Sequence, residues 1–222
     1  MGPADGFVDQ LRRLCLLAVR TLPASGAGLS VVAQDQQFSL LAAADPESER
    51  LEELQFVLGE GPCVDAAAAR RPVLVPDLAT DGPARWPAYA AAVLAAGVQA
   101  VFAFPLQVGA AQLGVLDLFR SHPGPLTGAE LSRAFALADD AVLVLLDGQE
   151  RRQLDGDVSA QDEALGGTTE LFQAQGMVMI QIGGTLAEAM ARIRAYAFAQ
   201  DLRLADVARA IVARELFFSR DE

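Results

Sequence analysis

Residues 100–119 read AVFAFPLQVGAAQLGVLDLF. Two apolar runs, Ala100–Val108 and Gln112–Phe119, are separated by the step Gly109-Ala110-Ala111. Runs this apolar are typical of strands buried at the centre of a sheet, and the short step predicts a hairpin between them. We therefore expect a sheet with these two strands at its middle.

The segments before and after this hairpin predict the rest of an α+β domain with an antiparallel sheet and flanking helices. Asp45 followed by Pro46 is typical of a helix start, and Thr127 with Glu130 forms a capping box that opens a long helix past Glu150. The remaining predicted elements are a helix at Phe7–Leu22, a hairpin of Gly28–Ala33 and Phe38–Ala43, a short helix at Val64–Arg70, a strand at Arg71–Pro76 and a helix at Trp86–Ala96.

The last quarter of the chain predicts a separate helical bundle. The polar, glycine-bearing stretch 155–167 is typical of a linker. Three helices are predicted after it, over about 169–182, from the capping box Thr185–Glu188 to about 200, and over about 204–218. The predicted organisation is a domain at 1–154, a linker at 155–167 and a small three-helix domain at 168–222.

Composition restricts the class of function. The formal net charge is −12, and all 17 basic residues are arginine. Residues 168–222 carry a net charge of only −1. An acidic chain is not a general polyanion binder, so any contact with nucleic acid must come from a local cluster of arginines. Two distant cysteines, no signal-peptide pattern and no apolar run of about 20 residues predict a cytoplasmic protein with reduced thiols and no membrane contact.

The first 150 residues or so resemble a GAF domain. The resemblance lies in Leu54–Ala66 with its Gly-Glu-Gly-Pro-Cys63 step, in Val73–Leu78, and in the two strand runs Val101–Leu106 and Leu113–Leu118. The family implies a small-molecule pocket between the sheet and the loops and helices covering one face, and dimers formed through the first and last helices. Carried onto this chain, the pocket candidates are Cys63, Asp77, Trp86, Tyr89, Phe102, Phe104 and Asp117. Core packing or turn chemistry is the alternative role for each.

Catalysis has little support in the sequence. His122, the only histidine, precedes Pro123-Gly124 in a predicted turn and cannot by itself supply base, orienting group and metal site. We therefore expect neither an enzyme nor a metal site, and the sequence names no cofactor. Cys63 is either a redox sensor at a helix start or a buried structural thiol.

The last 55 residues resemble an ANTAR domain. The resemblance lies in Gln173–Met179, Ala189–Ala197 and Leu204–Val212. The family implies a dimeric protein that binds paired RNA hairpins in leader transcripts and thereby supports antitermination. Carried onto this chain, the RNA-binding candidates are Gln173, Gln175, Gly176, Arg192, Arg194, Tyr196, Arg203 and Arg209.

Several of these residues have other possible roles. Tyr196 either stacks on a loop base or flanks the bundle core, and Arg192 lies one turn after Glu188, with which it could pair. Gly176 suggests a close backbone approach within a helix. Gln175 stands where the family usually has lysine, which predicts weaker RNA binding or a tail that has drifted toward protein contacts.

The sequence as a whole predicts a cytoplasmic, signal-responsive regulator of transcription antitermination. A GAF domain would sense a small molecule or protein, and an ANTAR domain would bind RNA as a homodimer. The alternative is a dimeric adaptor whose helical tail contacts another regulator, and a thiol-dependent reductase is a distant third.

Overall fold

A computed structural model describes residues 6–32, 38–155, 159–200 and 202–219, with side chains omitted from 149 to 169. The chain divides into two compact units, Met1–Ala160 and Gln161–Glu222. We call them the N-terminal unit and the C-terminal unit. The division lies inside the predicted linker.

The N-terminal unit alternates strands and helices. Its elements are α1 (Phe7–Thr21), β1 (Gly26–Val32), β2 (Phe38–Ala43), α2 (Pro46–Leu58), α3 (Pro62–Ala69), β3 (Val73–Val75), α4 (Leu78–Arg85), α5 (Pro87–Ala95), β4 (Ala100–Val108), β5 (Ala111–Arg120) and α6 (Gly128–Asp155).

Five strands form one sheet in the order β2-β1-β5-β4-β3, and every neighbouring pair is antiparallel. The apolar hairpin β4–β5 lies at the middle, with Phe104 opposite Leu116 and Ala103 opposite Asp117. The α+β fold, the antiparallel sheet and both hairpins are confirmed. The prediction succeeds because long apolar runs can be buried on both faces only at the centre of a sheet.

Helices cover both faces of the sheet. Helices α1 and α6 contact one face, and α2 and α3 contact the other, with α5 packed on α2. Side chains alternate between the faces, so Ala103 and Val115 join the core under α2, α3 and α5. Phe104 points the other way and meets Phe135 of α6, with ring centroids 5.4 Å apart.

The predicted helix starts are confirmed by their hydrogen bonds. The Asp45 carboxylate accepts from the amide of Ser48 at 2.7 Å. The amide of Thr127 donates to Glu130 Oε2 at 2.7 Å, and the amide of Glu130 donates to Thr127 Oγ1 at 3.3 Å. These side chains satisfy amides that a helix leaves without partners at its first turn.

The C-terminal unit consists of α7 (Ser159–Ile182), α8 (Leu186–Ala199) and α9 (Leu204–Val212). The prediction that the linker extends over 155–167 is wrong for most of that interval, because α6 reaches Asp155 and α7 begins at Ser159. Residues 161–165 (QDEAL) are mostly good helix formers, and a glycine costs a helix only about 1 kcal/mol relative to alanine. The helix therefore tolerates Gly166 and Gly167.

Helix α9 ends at Val212, six residues before the predicted end. Arg214 adopts a left-handed conformation with φ of 60°, which turns the chain back. The amide of Phe218 then donates to Gln181 Oε1 at 3.0 Å, and the Phe218 ring packs edge-on against Tyr196 at 5.6 Å. A continued helix would carry Phe218 away from both partners.

The core of the C-terminal unit is formed by one apolar face of each helix. Its fully buried side chains are small or β-branched, such as Ala174, Val178 and Ile193. Leu186, in the first turn of α8, is exposed. Among the described residues, no helix combines the length and apolarity that a membrane span requires.

Candidate functional site

A cluster of polar side chains lies inside the N-terminal unit, between the sheet and α2, α3 and α5. Glu52, Cys63 and Asp117 are completely buried, and one ligand atom from each lies within 4.8 Å of the others. Most buried carboxyl groups in proteins are paired with a base. In the described part of the chain, no ion pair involves Glu52 or Asp117. We call these residues, with Ser30, Gln55 and Tyr89, the buried cluster.

Gln55 holds the cluster together from α2. Its Nε2 donates to Asp117 Oδ2 at 2.9 Å, and its Oε1 accepts from the amide of Cys63 at 2.8 Å. One side chain thus joins α2, the first turn of α3 and the central strand β5. Ser30 of β1 donates its hydroxyl to Glu52 Oε2 at 2.9 Å, which fixes one oxygen of that carboxyl group.

Two buried polar atoms beside the carboxyl pair, Ser48 Oγ and Tyr89 Oη, have no hydrogen-bond partner in the described structure. Glu52 Oε1 and Asp117 Oδ1 have none outside the group formed by Glu52, Cys63 and Asp117, in which the two carboxyl groups share a hydrogen bond. An unsatisfied buried polar group costs about 1–3 kcal/mol. Such a concentration at one place indicates a site that takes up protons or a ligand rather than a finished structural network.

The Gly-Glu-Gly-Pro-Cys step positions the cluster. Gly59 ends α2 in the left-handed conformation, with φ of 70°. Glu60 accepts hydrogen bonds from the amides of Ala88 and Tyr89 at 2.9 and 3.0 Å, so it caps the first turn of α5 and orients Tyr89. A Cβ at position 61 would overlap the side chain of Gln55. Glu60 and Gly61 therefore help to position Tyr89 and Gln55 of the cluster.

Small residues on the face of β1 that packs against α2 leave space for the cluster. A Cβ at Gly26 would overlap Ser48, and a Cβ at Gly28 would overlap the carboxyl group of Glu52. The same face of the strand continues with Ser30, which is also fully buried. Helix α2 can therefore approach β1 closely enough to bring Ser48 and Glu52 onto the sheet.

Burial controls the protonation of the cluster. It raises the pKa of Asp117 to about 6, although hydrogen bonds from Glu52, Gln55 and Cys63 oppose the shift. Burial, followed by the charge of Asp117, raises the pKa of Glu52 well above its ordinary range. A low-dielectric site disfavours two carboxylates side by side. Near neutral pH the pair therefore holds a proton, and Glu52 carries it.

Burial also keeps the Cys63 thiol and the Tyr89 phenol protonated. Burial, and then the charges of Asp117 and Glu52, raise the pKa of each group well above its usual value. A thiol with a raised pKa is a poor nucleophile at neutral pH. Of the two predicted roles for Cys63, the structure therefore favours the buried thiol over the reactive redox sensor, and both cysteines are unbridged.

Trp86 separates the cluster from the protein surface. Its ring packs edge-on against Tyr89 at 6.4 Å, and the Arg85 guanidinium lies 4.0 Å from the Trp86 ring centroid. Arg85 also donates to Asp65 of α3 at 2.9 Å, which links the end of α4 to α3. The cluster is thus shielded by an aromatic pair with a cation on its outer side.

The family model described as GAF domain matches residues 7–146. This chain belongs to the GAF family. The GAF domain is a signal-sensing domain, and here it covers the sheet, the buried cluster and most of α6.

Solved structures support the GAF fold. A domain of a two-component sensor histidine kinase from Sinorhizobium meliloti is 14% identical with a TM-score of 0.55, covering 68% of this chain and 99% of its own. The GAF domain of a phosphoenolpyruvate-protein phosphotransferase from Coxiella burnetii is 18% identical with a TM-score of 0.54, covering 67% and 87%.

A type II free methionine-R-sulfoxide reductase from Thermoplasma acidophilum is 15% identical with a TM-score of 0.50, covering 64% of this chain and 93% of its own. At these identities the likeness concerns the fold alone. No curated protein matches the chain significantly in sequence.

Of the seven pocket residues predicted in the GAF domain, the structure brings three into the buried cluster: Cys63, Tyr89 and Asp117. Trp86 lies against Tyr89 and shields the cluster. Cys63 was expected just before a helix beginning at Val64, and it lies in the first turn of α3. Pro62 can occupy the first helical position, so the helix starts two residues earlier than predicted.

Phe102, Phe104 and Asp77 lie outside the buried cluster, so the structure does not bring them together with the other pocket candidates. Phe102 and Phe104 alternate with Val101 and Ala103, so their rings lie on the opposite face of the sheet, where α1 and α6 pack. Asp77 is the N-cap of α4, a helix that was not predicted, and its carboxylate accepts from the amides of Ala79 and Thr80.

Sequence reasoning missed Ser30, Glu52 and Gln55. Ser48, Glu52 and Gln55 form a polar stripe at helical spacing on α2, and all three are buried. A polar stripe on a helix is ordinarily a solvated face, so the spacing alone does not distinguish the two cases. The signal that distinguishes a buried polar stripe from a solvated one is on β1. Gly26, Gly28 and Ser30 give one face of that strand no large side chain, so the polar stripe of α2 can pack against it.

The C-terminal unit places part of the predicted RNA-binding set inside itself. Gln175 is 6% exposed, and its amide donates to the carbonyl of Leu186 at 2.8 Å. The expectation that it presents its amide to a ligand is therefore wrong in this structure. Gly176 has no atom within 4 Å of the position of a Cβ, so it does not mark a close contact among the described residues.

The other predicted RNA contacts differ in their partners. Arg192 donates to the carbonyl of Ser219 at 2.7 Å, and Tyr196 packs on Phe218. Arg209 donates to Asp206 at 2.9 Å and lies 3.9 Å from Glu170. Burial lowers the pKa of the half-buried Arg194. Gln173 and Arg203 are exposed.

Proposed function

We propose that the protein is a signal-responsive regulator of transcription antitermination that acts in the cytoplasm. Its GAF domain senses a ligand or partner, and its C-terminal unit binds RNA hairpins as an ANTAR domain. The GAF fold, the order and spacing of α7, α8 and α9, and the resemblance of their sequences support this proposal.

One contact carries the RNA part of the proposal. Arg209 of α9 reaches Glu170 of α7, with Nε and Oε2 3.9 Å apart. Gln173 follows Glu170 by three residues, so both lie on one face of α7. An exposed amide of the first-helix motif and an exposed guanidinium therefore share one edge of the unit, which we call the α7–α9 edge. A guanidinium has five N–H donors, so its bonds to Asp206 and Glu170 leave others for a phosphate.

The test is a titration of the full-length protein with a leader RNA that contains two hairpins, at several salt concentrations. Arg209→Gln should weaken binding by roughly tenfold and reduce the slope of log affinity against log salt by about 1, as the loss of one phosphate contact does. Gln173→Ala should weaken binding without changing the salt slope.

Arg71→Gln is the matched control. It removes one exposed arginine from the GAF domain and changes the net charge equally. Its affinity and salt slope should equal those of the wild type. A wild-type protein that does not bind the RNA at low salt would remove the antitermination proposal.

Exposed leucines support the proposed homodimer. Leu16 and Leu17 of α1 and Leu143 and Leu146 of α6 are exposed, and Leu143 is 63% exposed. These helices are the first and last of the GAF domain, through which the family implies dimerisation. Leu143→Glu should shift sedimentation toward the monomer, because a dimer interface would bury the charge. Glu130→Gln on the same helix should not.

A second candidate, a protein-interaction adaptor, is favoured by the apolar surface of the C-terminal unit. Ile180 is 76% exposed, Phe217 63% and Phe198 55%. Large exposed apolar side chains in a small unit are typical of protein contacts. This function predicts no RNA binding at low salt, together with a protein partner that the wild type retains and Ile180→Ser with Phe198→Ser loses.

A further inference from the structure

We propose that Glu52, Cys63 and Asp117 bind a divalent transition-metal ion inside the GAF domain. The ligand atoms converge from three elements, α2, α3 and β5, and lie within 4.8 Å of one another. The inference rests on the sensor half of the proposed function, because it names the class of ligand that the domain takes up. It does not depend on RNA binding.

The unsatisfied atoms point to a ligand at this place. Glu52 Oε1 and Asp117 Oδ1 belong to the metal-binding residues themselves. Tyr89 is a separate observation: its hydroxyl is buried without a partner among the described residues, and the residue packs in the same core as Cys63. A cation bound to the three ligands would use both carboxyl oxygens.

The ligand types select the class of metal. Two carboxylates and a thiolate suit Zn²⁺, Fe²⁺ or Co²⁺, whereas Mg²⁺ and Ca²⁺ prefer all-oxygen sites. A tetrahedral ion with bonds of about 2.0–2.3 Å separates its ligands by about 3.5 Å. Since the ligand atoms lie within 4.8 Å of one another, each pair must approach by at most about 1.3 Å. Rotamer adjustment on α2 and α3 supplies such a movement.

Metal binding leaves the buried charge unchanged. Without metal, Glu52 and Cys63 each keep a proton and Asp117 is ionised, so the three groups carry one negative charge. Binding one dication releases both protons to solvent and leaves two carboxylates and a thiolate, again with a net charge of −1. The free-energy cost of burying charge keeps Glu52 and Cys63 protonated when no metal is bound. This cost does not oppose the replacement of their two protons by one dication, because the net charge stays the same.

The test uses the full-length protein after dialysis against a chelator, titrated with Co²⁺. We expect one ion per chain and a thiolate-to-cobalt charge-transfer absorption in the near ultraviolet. Cys63→Ser should abolish that absorption, and Glu52→Gln and Asp117→Asn should each weaken binding at least tenfold. Cys15→Ser is the matched control, because Cys15 is an equally buried thiol outside the ligand set, and it should bind like the wild type.

A second measurement needs no variant and so does not depend on the folding of substituted chains. Cys63 and Cys15 are alkylated slowly as the wild-type domain opens, and mass spectrometry separates the two sites. Co²⁺ should slow alkylation of Cys63 at least tenfold more than that of Cys15, because a coordinated thiolate is protected directly and Cys15 only through the stability of the domain. Equal rates with and without Co²⁺, or absorption that survives Cys63→Ser, would overturn the proposal and leave the cluster as a proton-sharing pair. Neither experiment contains RNA, so the outcome is independent of the RNA titration.

Discussion

The two units of this protein keep their polar chemistry in opposite places. In the GAF domain, two carboxyl groups, a thiol, a phenol and an amide are sealed beneath α2, α3 and α5. In the C-terminal unit the core is apolar apart from Gln175, while arginines and large apolar side chains lie on the surface. A closed site can respond only to something as small as a proton or an ion, whereas an open surface is suited to a macromolecule.

The largest expected contrast is between two glutamines. Gln55→Leu should destabilise the GAF domain by about 2–4 kcal/mol, because it leaves Asp117 Oδ2 and the amide of Cys63 buried without a partner. Gln173→Leu, on the exposed face of α7, should change stability by less than about 0.5 kcal/mol. Trp86 is the only tryptophan and lies in the GAF domain, so its fluorescence during urea unfolding reports that domain alone.

If Gln55→Leu is as mild as Gln173→Leu, the buried cluster does not organise the domain. The unfolding of the C-terminal unit should be followed by far-ultraviolet circular dichroism, which both units contribute to.

The next contrast is in pH dependence. Burial raises the pKa of Asp117 from 3.8 to about 6 and that of Glu52 upward as well, so the folded domain binds more protons than the unfolded chain above pH 4. Asp117 and Glu52 contribute their full stabilisation at pH values below their pKa values in the unfolded chain. This stabilisation is lost as the pH rises through their pKa values in the folded domain. We expect a loss on the order of 3 kcal/mol for Asp117 in metal-free protein, at about 1.4 kcal/mol per unit of pKa.

Asp117→Asn should flatten this dependence between pH 4 and about 6. Asp81→Asn, an exposed aspartate of the same domain, should leave it unchanged. The test is the urea midpoint of the GAF domain, measured by Trp86 fluorescence from pH 4 upward. A wild-type domain that becomes more stable as the pH rises over this interval would contradict the prediction.

A smaller effect tests whether the units unfold independently. Thr127 and Thr185 form the same capping box, one in each unit. Replacing either threonine with alanine should cost about 1 kcal/mol. Thr127→Ala should shift the transition seen by Trp86 fluorescence, and Thr185→Ala should shift only the transition seen by circular dichroism. Each variant is the control for the other, and a shift of both signals by both variants would show that the units unfold together.

The smallest effect concerns the apolar surface. Ile180→Ser should change the unfolding free energy of the C-terminal unit by less than about 0.5 kcal/mol, because the side chain is three-quarters exposed and has little contact to lose. A loss above about 1 kcal/mol, measured by urea unfolding and circular dichroism, would place Ile180 in the core and weaken the adaptor candidate.

Local sequence signals predicted most of the fold. These signals act over a few residues, so they can be recognised without knowledge of the fold. They are the turn at Gly109-Ala110-Ala111, the helix N-cap Asp45 and the two capping boxes. The end of α9 could not be recognised in this way. It depends on Phe218 meeting Tyr196 and Gln181, which are more than 20 residues away in sequence.

The site was harder to predict than the fold for a related reason. Cys63 and Asp117 belong to segments that resemble the family, and Tyr89 was a pocket candidate carried over with them, so these three were found. Glu52 and Gln55 look like the solvated side of an ordinary surface helix until α2 is placed on β1. Phe102 and Phe104 were grouped with Asp117 because an apolar run buried on both faces does not reveal which residues face which side.

The buried position of Glu52 depends on the absence of a side chain at Gly28. A single methyl group at this position would occupy the space that now holds the Glu52 carboxyl group. Alanine there would expel the acid from the interior while every polar residue of the cluster stayed in the sequence. Relatives that keep Glu52, Cys63 and Asp117 but carry a side chain at position 28 should therefore be judged to have lost the arrangement, so this glycine is as diagnostic of the chemistry as the acids themselves.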